Sequence, residues 1–169
     1  VNVEPHGRHR YFRIADEEVA RLLEQMTGVA YGARASEHEI GPRDPALRRA
    51  RVCYDHLAGE IAVAIYDALC KQQVFMWASG ELELTATGEQ RFANLGIATD
   101  TLYAQRRAVC RVCMDWSERR HHLAGCLGAA LLTFMLDRRW LTRDPGTRIV
   151  QVSPRGKRSL RTELGIDTL

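Results

Sequence analysis

Residues 51–125 contain the same string twice. Arg51-Val52-Cys53-Tyr54-Asp55-His56-Leu57-Ala58-Gly59 is matched by Arg111-Val112-Cys113-Met114-Asp115, an insert from Trp116 to His121, and His122-Leu123-Ala124-Gly125. Each string leads into an apolar helical pattern, a short strand pair and a Thr/Ser-x-x-Gly step. The first copy closes on Leu84-Thr85-Ala86-Thr87-Gly88 and Leu95-Gly96-Ile97, the second on Val152-Ser153-Pro154-Arg155-Gly156 and Leu164-Gly165-Ile166. Matches at the start, middle and end, in the same order, indicate a duplicated unit. The two copies must therefore share a fold, so the repeat constrains the architecture more than any other feature.

Within each copy the residues predict a helix, a hairpin and a closing helix. Asp44-Pro45 has the form of a helix cap followed by a first-turn proline, and a helical pattern runs from Pro45 to about Gln73, with a bend at Gly59. Val74 to Trp77 and Glu81 to Leu84 read as strands around Ser79-Gly80, and Thr87 to Leu95 as the closing helix. In the second copy Asp115 to Glu118 fits a capping box ahead of a long helix carrying Leu123, Leu127, Leu131 and Met135. A second hairpin turns around Asp144-Pro145-Gly146, and Pro154 opens a last helix reaching about Leu164. Ala98 to Ala108 connects the copies.

Upstream of the repeats, Val1 to Pro5 and Arg8 to Ile14 read as a hairpin with His6-Gly7 at its turn. A helix capped by Asp16 follows, with a one-sided stripe of Val19, Leu22, Leu23 and Met26. Tyr31 to Arg43 is the linker candidate. With 169 residues the chain can bury a sizeable core, and 46% hydrophobic with 27% charged residues is an ordinary globular composition. The net charge is +3, and Lys occurs only at 71 and 157, so Arg supplies nearly all the cations. No apolar run reaches the ~20 residues of a membrane helix, so no membrane partner is expected. Five cysteines without framework spacing point to reduced thiols and a cytoplasmic location.

Pro5-His6-Gly7-Arg8-His9-Arg10-Tyr11-Phe12-Arg13-Ile14 is similar to the wing of bacterial regulators of the arsenic-repressor (ArsR) family. Glu18-Val19-Ala20-Arg21-Leu22-Leu23-Glu24 resembles the helix after it, which in that family helps to form the dimer. Cys53 to Gly59 and Cys113 to Arg120 resemble the extended C-terminal part of a subgroup of these regulators. The resemblance implies a winged-helix protein that binds double-stranded DNA as a homodimer. It also implies that the recognition helix, and the cysteine pair by which metal-sensing members hold their ions, lie upstream of Val1.

On this basis the fold expected is mainly α with short β-hairpins (α+β): duplicated winged-helix-like helix–hairpin–helix units preceded by a wing hairpin and a dimerisation helix. The divisions are 1–30 (wing strands and dimerisation helix), 44–97 (first regulatory repeat) and 108–169 (second regulatory repeat). Arg8, His9 and Arg10 are the DNA-contacting candidates, because basic side chains at a hairpin tip reach phosphates or the minor groove. Val19, Leu22, Leu23 and Met26 are the dimerisation candidates.

Cys53 and His56, spaced to share a helical face, and Cys110 and Cys113, spaced alike, form a Cys₃His ligand or zinc candidate, with His121 and His122 in reserve. Against zinc, the repeat alone explains why Cys53 matches Cys113, and a reduced cysteine is more often a small buried hydrophobe. Packing is the favoured reading and no cofactor is expected. Asp55 and Asp115 read as an ion-pair partner of Arg51 and a helix cap, respectively, rather than as paired ligand contacts. No nucleophile elbow, P-loop, dinucleotide fingerprint or HExxH occurs, so the chain is not expected to be an enzyme. The function expected is a DNA-binding transcriptional regulator, a repressor whose duplicated C-terminal region senses or transmits a signal. The alternative is a small-ligand- or zinc-binding module without direct DNA contact.

Overall fold

The computed structural model describes residues 2–6, 9–16, 18, 19, 22, 23, 26 and 41–166. The chain divides into two compact units, Val1–Glu39 and Ile40–Leu169. In the first unit, β1 (Asn2–His6) and β2 (His9–Arg13) form an antiparallel hairpin in register from Asn2 opposite Arg13 to His6 opposite His9. Asp16 Oδ1 accepts from the amides of Glu18 and Val19, the expected cap, and residues 18, 19, 22, 23 and 26 are helical.

The second unit is mixed α+β: helices with small antiparallel sheets, each of two strands. It opens with α1 (Pro45–Arg49), whose amide at Ala46 is capped by Asp44. The first copy then runs β3 (Arg51–Cys53), β4 (His56–Ala58), α2 (Glu60–Lys71), β5 (Phe75–Ala78), β6 (Glu81–Leu84) and α3 (Ala86–Leu95). After α4 (Thr99–Tyr103) the second copy runs β7 (Arg111–Met114), β8 (His121–Ala124), α5 (Gly125–Asp137), β9 (Leu141–Arg143), β10 (Val150–Val152) and α6 (Pro154–Leu164). Both copies thus have the order hairpin, helix, hairpin, helix. Among the described residues, no helix is long and apolar enough to cross a membrane.

The local bonding of the two copies matches as closely as their element order. Thr85 and Ser153 cap α3 and α6 by accepting from the amides of Gly88 and Gly156. The same hydroxyls donate back to the carbonyls of Gln73 and Arg139. A Cβ at Gly88 or Gly156 would collide with the carbonyl oxygen of Val74 or Trp140, so the x-x-Gly step lets each closing helix press on its hairpin. At the end of α2 and of α5 the amides of Val74 and Trp140 bond back to the carbonyls of Leu69 and Met135. These are the positions that the repeated strings align.

The long helix of the first copy is not formed. The helix foreseen from Pro45 to Gln73 stops at Arg49, and Ala50 is extended. The segment with Cys53 and His56 is instead a hairpin, and α2 begins only after Gly59. No breaker residue marks the stop; tertiary pairing makes it. Val150 N donates to Ala50 O and Val52 N to Arg148 O, so the second copy supplies the backbone partners that a continuous helix would have used. Gly59 has a φ of 95°, and a Cβ there would strike the carbonyl oxygen of Arg48, which is why the chain can turn into α2 at that point.

The copies pack into each other. Helix α2 lies on β8, α5 lies on β4, and β4 is beside β8. A shared core runs through Leu57, Ile61, Ile65, Leu69, Phe92, Leu123, Leu127, Leu131, Met135, Leu160 and Leu164. Within it sits a buried ion pair joining the copies. Arg51 is 2% exposed and Asp115 0%. Arg51 Nη2 donates to both carboxylate oxygens of Asp115 at 2.9 Å, and Nη1 donates to Leu47 O and Ser117 Oγ. Asp115 also accepts from Gly59 N at 2.6 Å, from Ser117 N and Oγ, and from Glu118 N.

Asp115 therefore caps a turn and not a helix, and Arg51 pairs with it rather than with Asp55. Burial pushes the Asp115 carboxyl up, but the bonds from Ser117, Glu118, Gly59 and Arg51 outweigh this and bring it to about 2. Asp55, 40% exposed, takes Arg107 instead, at 2.6 Å.

The two aspartates occupy equivalent places in the repeat but not equivalent environments. Asp115→Ala strands a buried guanidinium and should cost about 3–5 kcal/mol of stability. With a chelator present throughout, so that bound metal does not contribute, Asp55→Ala removes a half-exposed pair and should cost less than about 1 kcal/mol. Urea unfolding of the two variants beside the wild type measures both; equal losses would contradict this assignment of roles.

Candidate metal centre

The hairpins β3–β4 and β7–β8 each hold a cysteine directly opposite a histidine. Cys53 pairs with His56 and Cys113 with His122. Directly opposed residues on one face of an antiparallel pair have Cβ atoms roughly 5 Å apart. Each hairpin therefore presents one thiol and one imidazole as a two-armed clamp. Because β4 lies beside β8, the clamps converge, and one donor atom from each of Cys53, His56, Cys113 and His122 lies within 4.8 Å of the others. His56, Cys113 and His122 are buried and Cys53 is partly buried.

The imidazoles are oriented alike. Their Nε2 atoms face each other at 3.1 Å, with ring centroids 5.1 Å apart. On the far side of each ring stands the aspartate of its own copy: Asp55 Oδ1 is 3.2 Å from His56 Nδ1, and Asp115 Oδ2 is 3.7 Å from His122 Nδ1. His122 Nδ1 is buried without a hydrogen bond. A carboxylate behind Nδ1 favours the tautomer whose Nε2 lone pair points inward. Two such lone pairs at 3.1 Å repel unless a proton or a cation lies between them. The glycine at 128 helps seat this arrangement: a Cβ there would meet Leu123 O at 2.7 Å and His56 Cβ at 3.3 Å.

The groups of the first hairpin act on one another electrostatically. Hydrogen bonding from Cys113 foremost, with His122 and His56, lowers the Cys53 thiol against the opposing effect of burial. For His56 burial pulls down, but Cys53 and Asp55 outweigh it and the imidazole is raised. The Asp55 carboxyl, which burial would raise, is lowered on balance by Arg107 and His56.

Of the sequence candidates, Cys53, His56 and Cys113 are brought together and Cys110 is not. Cys110 lies in the hydrophobic core, where burial foremost pushes its thiol up to about 12. Its spacing from Cys113 belongs to a helix, whereas the segment is a strand, so the two side chains do not share a face. His122, held only in reserve, is the fourth member; His121 is exposed at the start of β8. The repeat itself carried the signal: aligning Cys53 with Cys113 and His56-Leu57-Ala58-Gly59 with His122 to Gly125 gives a symmetric Cys/His set. The purely aliphatic surroundings expected for Cys53 and Cys113 are not what the structure has.

In the first unit, Arg8 lies outside the described residues, as do the side chains of His9 and Arg10 on β2. Val19, Leu22, Leu23 and Met26 are described, and are 47%, 55%, 46% and 58% exposed in the single chain.

No family model matches the chain, and no solved structure matches it. A curated protein does: the chain is 39% identical over 166 residues to an uncharacterized HTH-type transcriptional regulator, YdfF, of Bacillus subtilis (strain 168). The match takes in 98% of this chain and 74% of the relative. It runs through the hairpin β1–β2, both repeats and the Cys/His centre without confinement to any one of them. The chain belongs to the family of HTH-type transcriptional regulators that includes YdfF.

Proposed function

We propose that this protein is a DNA-binding transcriptional repressor of the ArsR type, acting in the cytoplasm as a homodimer. The observation that carries the reading is the 39% identity to an HTH-type transcriptional regulator across nearly the whole chain. In it, the hairpin β1–β2 is a wing, and Arg8, His9 and Arg10 bring positive charge to the phosphates of double-stranded DNA. The two copies from Arg51 to Ile166 are regulatory units of winged-helix-like form. They read a signal and shift the population of dimers competent to bind a pseudo-palindromic operator. Binding, not catalysis, is the activity throughout.

The apolar stripe supports the dimer. Four large hydrophobic side chains, each about half exposed on one short helical stretch, are costly to leave in water. A two-fold contact would bury the same stripe from both copies. The alternative reading, a ligand- or zinc-binding module without DNA contact, draws on the Cys/His centre. The two readings are compatible, because the Cys/His centre uses none of the residues assigned to DNA or to the dimer.

Two outcomes follow. Replacing Leu22 and Leu23 by Glu should convert the dimer to monomers by sedimentation velocity and weaken operator binding; a variant that stays dimeric contradicts the assignment of the stripe. Affinity for duplex DNA should fall steeply with salt as condensed counterions are released. Arg8→Ala and Arg10→Ala should each make the log–log salt slope shallower by about 1. An unchanged slope in both would remove the wing from the interface.

A further inference from the structure

We propose that the Sγ atoms of Cys53 and Cys113 and the Nε2 atoms of His56 and His122 bind one zinc ion, which staples the two repeats together. The proposal does not depend on the DNA-binding reading, since it rests on donors, spacing and charge within the second unit alone. Four donors of the right kind converge, two thiols and two imidazoles, and no other group of three or more metal-binding side chains occurs among the described residues. The two inward Nε2 atoms are 3.1 Å apart. Tetrahedral zinc with Zn–N bonds of ~2.0–2.1 Å sets two nitrogens about 3.3 Å apart, so these need almost no movement.

Outside the donor atoms, each histidine is backed by the aspartate of its own repeat, at 3.2 Å for Asp55 and 3.7 Å for Asp115. This carboxylate–histidine arrangement fixes ring orientation behind a metal ligand. It occurs once in each copy, with the same Cys-x-Asp and His-Leu-Ala-Gly elements. The charge also closes: two thiolates neutralise a divalent cation, so the filled centre carries no net charge into a buried place. A mixed sulfur and nitrogen set of tetrahedral shape favours zinc over the harder cations that take oxygen ligands. Four protein ligands leave no open position, so the ion is structural. It adds a bond between hairpins contributed by different copies, and its loss loosens the contact of β4 with β8.

The intact protein, purified without added metal or chelator, is expected to contain one zinc per chain by inductively coupled plasma mass spectrometry. Cobalt(II) exchanged into the centre should give the intense visible bands of tetrahedral coordination and thiolate-to-cobalt charge transfer. Cys113→Ser and His122→Ala should each abolish stoichiometric binding, whereas Cys110→Ser should keep it in full. Asp55→Asn, which leaves all four ligands in place, should weaken zinc affinity about 10–100-fold in competition with a chromophoric chelator. Should the ligand variants fail to fold, the wild-type stoichiometry and cobalt spectrum decide the matter alone. Folded wild-type protein that takes up no stoichiometric metal overturns the proposal. So does an octahedral cobalt spectrum, a Cys53–Cys113 disulfide in place of metal, or loss of binding on Cys110→Ser.

Discussion

The buried pair of Arg51 and Asp115 is the constraint on which the second unit depends. A guanidinium and a carboxylate withdrawn from water are tolerable only when nearly every polar atom finds a partner. Here the carboxylate is met by Arg51, the Gly59 amide, Ser117 and the Glu118 amide. Three separate features of the chain are fixed at once: the start of β3, the turn into α2 and the loop between β7 and β8. Trp116 lies 5.4 Å from the guanidinium carbon and covers it from the side of that loop. The insert that interrupts the second copy of the string thus adds partners, Trp116, Ser117 and Glu118, to the pair that joins the copies.

The duplication is symmetric in its backbone and asymmetric in its charges. The capping hydroxyls of Thr85 and Ser153, the close-packed Gly88 and Gly156, and the left-handed Gly96 and Gly165 recur with the same partners or geometry. The aspartates do not. Asp115 is drawn into the joint by Arg51, while Asp55 remains near the surface with Arg107. Yet both keep one role in common, standing behind the Nδ1 of a histidine. Together with the ion pair and the backbone bonds of Ala50 and Val52, this shared polar centre gives the contact of the copies a specific register, which hydrophobic burial by itself specifies weakly.

Much of this was legible in the residues. The hairpin β5–β6 around Ser79-Gly80, the closing helices and the caps at Asp16 and Asp44 follow from turn and capping chemistry that acts over a few residues. The hairpins that carry the Cys/His centre were not legible. Their strands are three or four residues long, too short for an alternating pattern to stand out, and Ala46 to Arg51 favours helix. Only the pairing of Ala50 and Val52 with the second copy makes the extended form win. Once a helix was assumed, three-residue spacing selected Cys110; the cross-strand register selects His122. The repeat held the correct set, because residues that align between two copies of one fold occupy equivalent positions.

The stripe of Val19, Leu22, Leu23 and Met26 and the hairpin before it belong to the DNA-binding reading, whereas the Cys/His centre belongs to the joint between the repeats. The structural claim about the joint stands on its own. Zinc K-edge X-ray absorption on the intact protein tests it most directly. Convergence of the two hairpins predicts a four-coordinate shell of two sulfurs at ~2.3 Å and two imidazole nitrogens at ~2.0–2.1 Å. A shell of three sulfurs and one nitrogen, or one made of oxygen and nitrogen alone, would contradict it.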